Sequence, residues 1–264
     1  MTTTPPDIDR ILRETFVARA EYHQVLGSTN DRAIRCAADG SNQLPLLVVA
    51  ERQTAGRGRG GNRWWTGEGG LAMSLLLGRD VSNPPGAPAP LVSLAAALAV
   101  VETVAPLLQP STVGICWPND VVITERKLGG ILVEVLPDRR QVIGIGLNTN
   151  SSLADAPPEL QRTATTLRDL TSATHDQTAI LVTLLRHLES ALTELASAPQ
   201  RLAARADALC LQRGKTLTLQ VGNRSASGRC AGIAPDGALL LESSEGRQAF
   251  YSGVVLKPQE PAEG

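Results

Sequence analysis

"AGRGRGGNRWW", residues 55–65, decides between two different folds. Gly56, Gly58 and Gly61 match the G-x-G-x-x-G spacing that opens a dinucleotide-binding βαβ unit. In such a unit a helix follows the third glycine at once, and its N-terminus holds the pyrophosphate. Here Gly61 runs into Asn-Arg-Trp-Trp-Thr-Gly-Glu-Gly-Gly, a stretch of turn formers that opposes an immediate helix. No repeated βαβ pattern follows, and the loop does not end in the Gly-Lys-Ser/Thr of a Walker motif. What remains is a loop that closes over an anion. Its glycines admit close backbone approach. Arg57, Arg59 and Arg63 carry forked donors suited to phosphate and carboxylate. Trp64 or Trp65 can stack on a base or cover an apolar ligand. The bland alternative is an exposed loop without a ligand.

The surrounding composition limits the partners. The 264 residues are 42% hydrophobic and only 3% aromatic, so one large core must rest on Leu, Val, Ile and Ala. With 25 basic and 26 acidic residues the net charge is −1, which excludes a global field toward nucleic acid or an anionic membrane. Cys36, Cys116, Cys210 and Cys230 form no C-x-x-C pair, and His23, His175 and His187 share no ligand spacing. Free thiols in a reducing, cytoplasmic setting and no resident metal site are the expectation. The first ten residues lack the apolar segment of a secretory signal. "LVSLAAALAVVETVAPLL", 91–108, is interrupted by Ser93, Glu102 and Thr103 and reads as a buried helix rather than a membrane span.

Outward from the loop, "LLVVAE" at 46–51 and "LAMSLLLG" at 71–78 read as buried strands, and "NPPGAPAP" at 83–90 as a connector. Strand-like runs recur at 113–116, 129–136 and 141–148, the last two joined as an antiparallel hairpin by a Pro-Asp-Arg-Arg turn. Apolar residues at 181, 184, 185, 188, 191, 192 and 195 mark an amphipathic helix over 178–197, with His187 on its solvated side. Past Gly214 the pattern changes to short strands at 215–220, 225–233, 238–242 and 247–255, with a turn at Pro235-Asp236-Gly237. The expected architecture is α+β: a domain over 1–213 with a mixed β-sheet flanked by helices, and a small β-barrel domain over 214–264 ending in a frayed tail.

Three further stretches carry polar groups where a ligand needs them. In "WPNDVVITERKLGGILVE", 117–134, Asn119 and Asp120 sit at a strand start, and Lys127 precedes Gly129-Gly130, a pattern that suits an anion lying on backbone. An ordinary hairpin with the lysine at its tip is the alternative. "GIGLNTN", 144–150, places Asn148 just past a strand, where a turn role is the simpler reading. In "GSTNDRA", 27–33, Ser28 or Thr29 is an N-cap for a helix around 30–38, or else a hydroxyl donor to a ligand.

Taken together, these four segments resemble the biotin protein ligases. The resemblance rests on Ser28-Thr29-Asn30, Gly56-Arg57-Gly58-Arg59 with Trp64, Trp117-Pro118-Asn119-Asp120 with Lys127-Leu128-Gly129-Gly130, and Gly144-Ile145-Gly146-Leu147-Asn148, in the family's order across about 20–255. It implies a catalytic domain with the class II aminoacyl-tRNA-synthetase-like biotin/lipoate ligase fold and a C-terminal SH3-like barrel. It also implies the monofunctional class, since the winged helix of the repressor-type members has no counterpart in this sequence. The implied reaction joins biotin and ATP, with Mg²⁺, into biotinyl-5′-AMP, then moves biotin to a lysine of an acyl-CoA carboxylase biotin carrier domain. The resemblance makes Lys127, Arg59 and Asp120 the catalytic candidates, with Asp120 orienting or deprotonating the incoming lysine. It assigns Ser28, Thr29, Asn30, Gln53, Gly129 and Gly130 to biotin binding. Gly56, Arg57, Gly58, Arg59 and Trp64 become a lid, Asn119 meets the phosphate or Mg²⁺ region, and Asn148 meets the nucleotide. The lipoate ligases, which share the fold, resemble an Arg-Arg-x-Ser-Gly-Gly-Gly pattern absent here. A non-catalytic biotin binder and a single-strand nucleic-acid binder are the rivals from other classes.

Overall fold

A computed structural model describes residues 4–40, 43–78, 89–154 and 156–256. Seven strands build the main sheet: β1 (Arg19–Leu26), β2 (Leu46–Gln53), β3 (Leu71–Leu76), β4 (Val113–Cys116), β5 (Asp120–Ile123), β6 (Arg126–Val135) and β7 (Gln141–Leu147). Their order is β1-β2-β3-β7-β6-β5-β4. Only β1 and β2 run parallel; every other neighbouring pair is antiparallel, so the sheet is mixed.

Strand alternation sorts the side chains onto two faces. On β2, Leu47 and Val49 join the main core, whereas Leu46 and Val48 pack with Ala33, Cys36 and Ala37 of helix α2 (Thr29–Ala38). Helix α3 (Ala89–Val104) is apolar all round and lies buried between the core face of the sheet and α6 (Gln177–Ser197). Each fully buried Leu or Val there contributes about 1.5–3 kcal/mol. The helix ends at Val104, and a single 3₁₀ turn, Ala105–Leu107, replaces the last turn expected from the sequence. Pro106 in that turn has no N–H to continue the α-helical ladder.

Short helices complete the layer: α1 (Ile8–Glu14), α4 (Pro158–Thr163), α5 (Leu167–Thr171) and α7 (Pro199–Ala208). His187 departs from its expected solvated position. It is half-buried, its Nδ1 is 3.1 Å from Thr103 Oγ1 of α3, and burial lowers its pKa. A second helix packs over the flank of α6 that the sequence stripe leaves polar.

Five antiparallel strands form the C-terminal sheet: β8 (Thr216–Val221), β9 (Arg224–Ile233), β10 (Leu239–Ser243), β11 (Gly246–Phe250) and β12 (Val254–Leu256), in the order β11-β10-β9-β8-β12. The single strand expected over 247–255 is two. The chain breaks at Tyr251–Gly253, so β11 pairs with β10 while β12 crosses to the other edge against β8. Trp117, 2% exposed, ties the two sheets: its indole N–H donates to Gly237 O (3.0 Å), and its backbone N–H donates to Gln212 Oε1 (2.6 Å). The residues of the expected connector up to 88, and the tail from 257, lie outside the described residues.

Candidate active site

The loop at 55–65 folds as a small hairpin, which accounts for the missing helix. The N–H of Trp64 donates to Gly56 O (3.0 Å), the N–H of Gly58 donates to Asn62 O (2.7 Å), and a three-residue turn at Arg59–Gly61 closes the tip. A side chain at Gly56 would place its Cβ 2.5 Å from Trp64 O, so Gly56 serves the hairpin's own packing. The hairpin overhangs a cavity of about 710 Å³ on the α2 side of the main sheet. The hairpin contributes Arg57, Gly58, Arg59 and Trp64; β5 and β6 contribute Asp120, Lys127 and Gly130; β12 contributes Val254 and Val255. The two sheets therefore wall one cavity.

Lys127 reaches this cavity because of a bulge. The β5–β6 register slips between Val121 and Val122, so Gly129 pairs with Val121 while Lys127 pairs with Val122. Without the slip, Lys127 would share a face with Gly129, whose missing Cβ looks toward Val100 of α3. The extra residue re-aims the lysine to the side of Gly130. Its Nζ lies 2.6 Å from Asp120 Oδ1 and 5.6 Å from the centre of the Trp64 ring. The contact with Asp120 is an ion pair outside hydrogen-bond geometry, which leaves Oδ1 buried without a hydrogen bond. Gly129 itself does not line the cavity.

The floor is stripped of side chains. A Cβ on Gly146 would sit 2.2 Å from Trp64 Cε2, and one on Gly144 would sit 2.2 Å from Asn30 Oδ1. These two β7 positions lie opposite Gly130 and Leu132 of β6. The indole of Trp64 and the amide of Asn30 thus lie directly on backbone.

A chain of hydrogen bonds lines one end. Ser74 Oγ lies 2.7 Å from Thr29 Oγ1 and 2.5 Å from Asn30 Oδ1, and its proton goes to Asn30 when the Thr29 hydroxyl donates to Ser74. The backbone N–H of Thr29 donates to Gln53 Oε1 at 2.8 Å. Ser28 is an N-cap, its Oγ accepting from the N–H of Asp31 at 3.4 Å, and it also lines the cavity. Asn119 donates from Nδ2 to Ile131 O at 2.9 Å; its Oδ1 has no protein hydrogen bond among the described residues.

The two lid arginines differ. Arg57 forms a bidentate pair with Glu134 (2.9 and 2.6 Å) and meets Asp31 at 2.8 Å, and its bond to Glu134 raises its pKa. The Arg59 guanidinium has no hydrogen bond or ion pair among the described residues. Burial pulls its pKa below the ordinary value, partly offset by the nearby Asp120 charge. At the other end stand Lys215, whose partner is the exposed Glu125 at 3.6 Å, and Cys116, whose thiol burial pushes up to about 11. Among the described residues no three His, Cys, Asp or Glu side chains gather as metal ligands.

Asn148 stands outside the cavity. It is 7% exposed, and its Nδ2 donates to Thr165 O (3.0 Å) and Lys127 O (3.4 Å), anchoring the strand that carries the lysine. From sequence alone Ser74 and Glu134 have no assigned role, and Gly144 and Gly146 are marked only as members of the Gly-x-Gly-x-Asn motif. Ser74 had a legible signal, as the one polar residue in "LAMSLL", a run otherwise apolar and buried.

The sequence of residues 24–150 matches the profile described as Biotin/lipoate A/B protein ligase family, and residues 214–257 match Biotin protein ligase C terminal domain. A Mycobacterium tuberculosis biotin–[acetyl-CoA-carboxylase] ligase is 36% identical over 261 residues, 96% of each chain. The bifunctional ligase/repressor BirA of Bacillus subtilis is 35% identical over 89% of this chain and 72% of its own length. Among solved structures, a biotin protein ligase from Aquifex aeolicus in complex with biotin and ATP superposes with a TM-score of 0.78 at 28% identity, over 90% of this chain and 97% of that one. With two family profiles in the right order and a relative matched almost end to end, this chain belongs to the biotin protein ligase family.

Proposed function

We propose that the cavity joins biotin and ATP into biotinyl-5′-AMP and then passes biotin to a lysine of an acyl-CoA carboxylase biotin carrier domain. The observation that carries this reading is the Lys127 ammonium, held over a floor without side chains by Asp120 and Trp64. In the first step a biotin carboxylate oxygen attacks the α-phosphorus, and pyrophosphate leaves. Two anions must meet, so the first requirement is positive charge at the point of attack. Lys127 supplies it, bridging carboxylate and α-phosphate, and Arg59 adds a half-buried guanidinium with no protein partner to satisfy. Ser28, Thr29, Asn30 and Gln53 form the polar end that suits the ureido ring, while Gly130, Gly144 and Gly146 admit the flat bicycle beside Trp64.

In the second step the carrier's ε-amine attacks the mixed-anhydride carbonyl, AMP leaves, and a proton must be removed from the amine. Asp120, beside Lys127, is the carboxylate at hand to orient or accept from it. Mg²⁺ arrives as a partner of the ATP phosphates. A site without a cluster of acidic ligands suits that, since Mg²⁺ keeps several waters and relies on substrate phosphates. Asn119 Oδ1 and Asp120 are the oxygens that fit its surroundings.

The test is biotin-dependent release of pyrophosphate from ATP and Mg²⁺ by the purified chain, followed by a mass shift on an added carrier domain. Release that depends on lipoate instead of biotin, or on neither, refutes the reading. A finer expectation concerns Arg59→Ala. It leaves adenylate formation detectable but speeds loss of biotinyl-AMP about tenfold, the scale of one charge-assisted contact. An off-rate equal to the parent's would remove Arg59 from the lid role.

A further inference from the structure

The lid and the biotin end of the cavity are joined through one carboxylate that the sequence patterns left unassigned. Glu134 Oε2 accepts from Asn30 Nδ2 at 2.7 Å, while its two oxygens accept from Arg57 Nη1 and Nη2 at 2.9 and 2.6 Å. From Asn30 Oδ1 the path continues through Ser74 Oγ to Thr29 Oγ1, and the Thr29 backbone N–H donates to Gln53 Oε1. Gln53 Nε2 in turn lies 3.4 Å from Thr66 Oγ1, on the chain just past the hairpin. One hydrogen-bonded path therefore leaves the lid at Arg57, crosses the cavity end and returns to the lid's far side.

Resting on the ligase reading above, we propose that Glu134 is a positioning residue: it latches the lid through Arg57 and registers it against Asn30, so that the biotin end and the lid are set together. Three features support the role. Among the described residues, Glu134 is the side chain hydrogen-bonded to both Arg57 and Asn30. Gly144 has no Cβ, which is what lets Asn30 reach across the floor toward Glu134. Arg57 is committed to Glu134 and Asp31, whereas Arg59 is not, so the two lid arginines divide the work: one anchors the lid and the other faces the ligand. A bidentate guanidinium–carboxylate pair also fixes orientation, which a single point contact does not. Biotin bound beside Asn30 would stabilise the same arrangement that holds Arg57, and so would favour lid closure before the reactive adenylate forms.

The test uses the full chain and three variants: Glu134→Gln, Arg57→Gln and the double variant. Gln keeps an acceptor for Asn30 and loses the paired charge toward Arg57. Hydrogen exchange of amides 56–64 without ligand should quicken about tenfold in Glu134→Gln, as expected for losing one bidentate charged pair. Release of biotinyl-AMP should quicken by a similar factor, while kcat for pyrophosphate release changes by less than about threefold, since retention and not chemistry is altered. Arg57→Gln should match it in lid exchange and in release of biotinyl-AMP, and in those two readouts the double variant should be no worse than either single one. Unchanged lid exchange in Glu134→Gln, or effects that multiply in the double variant, overturns the latch. If the parent chain makes no biotinyl-AMP, the ligase reading fails instead, and the exchange measurement still decides whether Glu134 holds the lid.

Discussion

Lys127→Ala is expected to lower the rate of biotinyl-AMP formation by about 10²–10³-fold, the loss seen when one preorganised donor to developing charge is removed. The reason is geometric. Its ammonium is 2.6 Å from Asp120 and 5.6 Å from the centre of the Trp64 ring, on the strand that forms the floor. Arg57, Arg59, Arg63, Arg162 and Lys215 also line the cavity, but they stand on the hairpin, on α4 and just before the C-terminal sheet rather than on the strands of the floor. Lys127→Arg is not expected to rescue, because a planar fork with fixed donors replaces the compact point charge of the ammonium. Biotin-dependent pyrophosphate release measures the effect. The variant should unfold within a few degrees of the parent, since the side chain is only half-buried and its pair is partly exposed. Release at the parental rate would show that charge neutralisation at the α-phosphate comes from elsewhere.

Gly146→Ala is expected to separate stability from function. An alanine Cβ would stand 2.2 Å from Trp64 Cε2, 2.4 Å from Cζ2 and 2.7 Å from Nε1. The Trp64 backbone is held by its N–H bond to Gly56 O, so the indole must swing off the floor. That removes the contact with Lys127 and lifts the cover from the cavity. Retention of biotinyl-AMP should fall about 30–100-fold, the cost of losing a buried aromatic contact and its cation–π partner. Folding should not suffer, because Gly146 faces the cavity rather than α3, and alanine in a strand constrains the unfolded chain more than glycine does. The paired readouts are the biotinyl-AMP off-rate and the thermal midpoint. A slow off-rate like the parent's would mean that the ring does not seat on Gly146 when ligand is bound.

Much of this arrangement was legible before any coordinates. The loop at 55–65 lacked helix formers after Gly61, and a hairpin is what those residues form. Alternation and turn chemistry located β2, β3, the β6–β7 hairpin and β8 to β10 of the C-terminal part, because each is a local preference repeated along a few residues; the split of 247–255 into β11 and β12 was not legible that way. β1 was missed: "RAEYHQVL" mixes polar and apolar residues without a clean period, and its pairing with β2 comes from contact, not pattern. Helices α4 and α5, at six and five residues, are too short to show a periodicity. His187 was read from its own helix alone, and the neighbour that buries it comes from α3, 84 residues away.

The sequence by itself determined the chemical inventory: a lysine beside glycines, two lid arginines with a tryptophan, a Ser-Thr-Asn at a helix start, and the family they resemble. Tertiary structure alone decided how those groups meet. The bulge at Val121/Val122 turns Lys127 toward Asp120, and pairing β6 with β7 sets Gly130 opposite Gly146 to make a bare floor. It also gave different tasks to residues that look alike in the motif. Gly129 faces the core while Gly130 faces the cavity, Asn148 braces the strand rather than lining the site, and Arg57 is latched to Glu134 while Arg59 is not. The physical reason is that residue type and local spacing are properties of a segment, whereas register, facing and charge pairing belong to strands brought together from 20 to 100 residues apart.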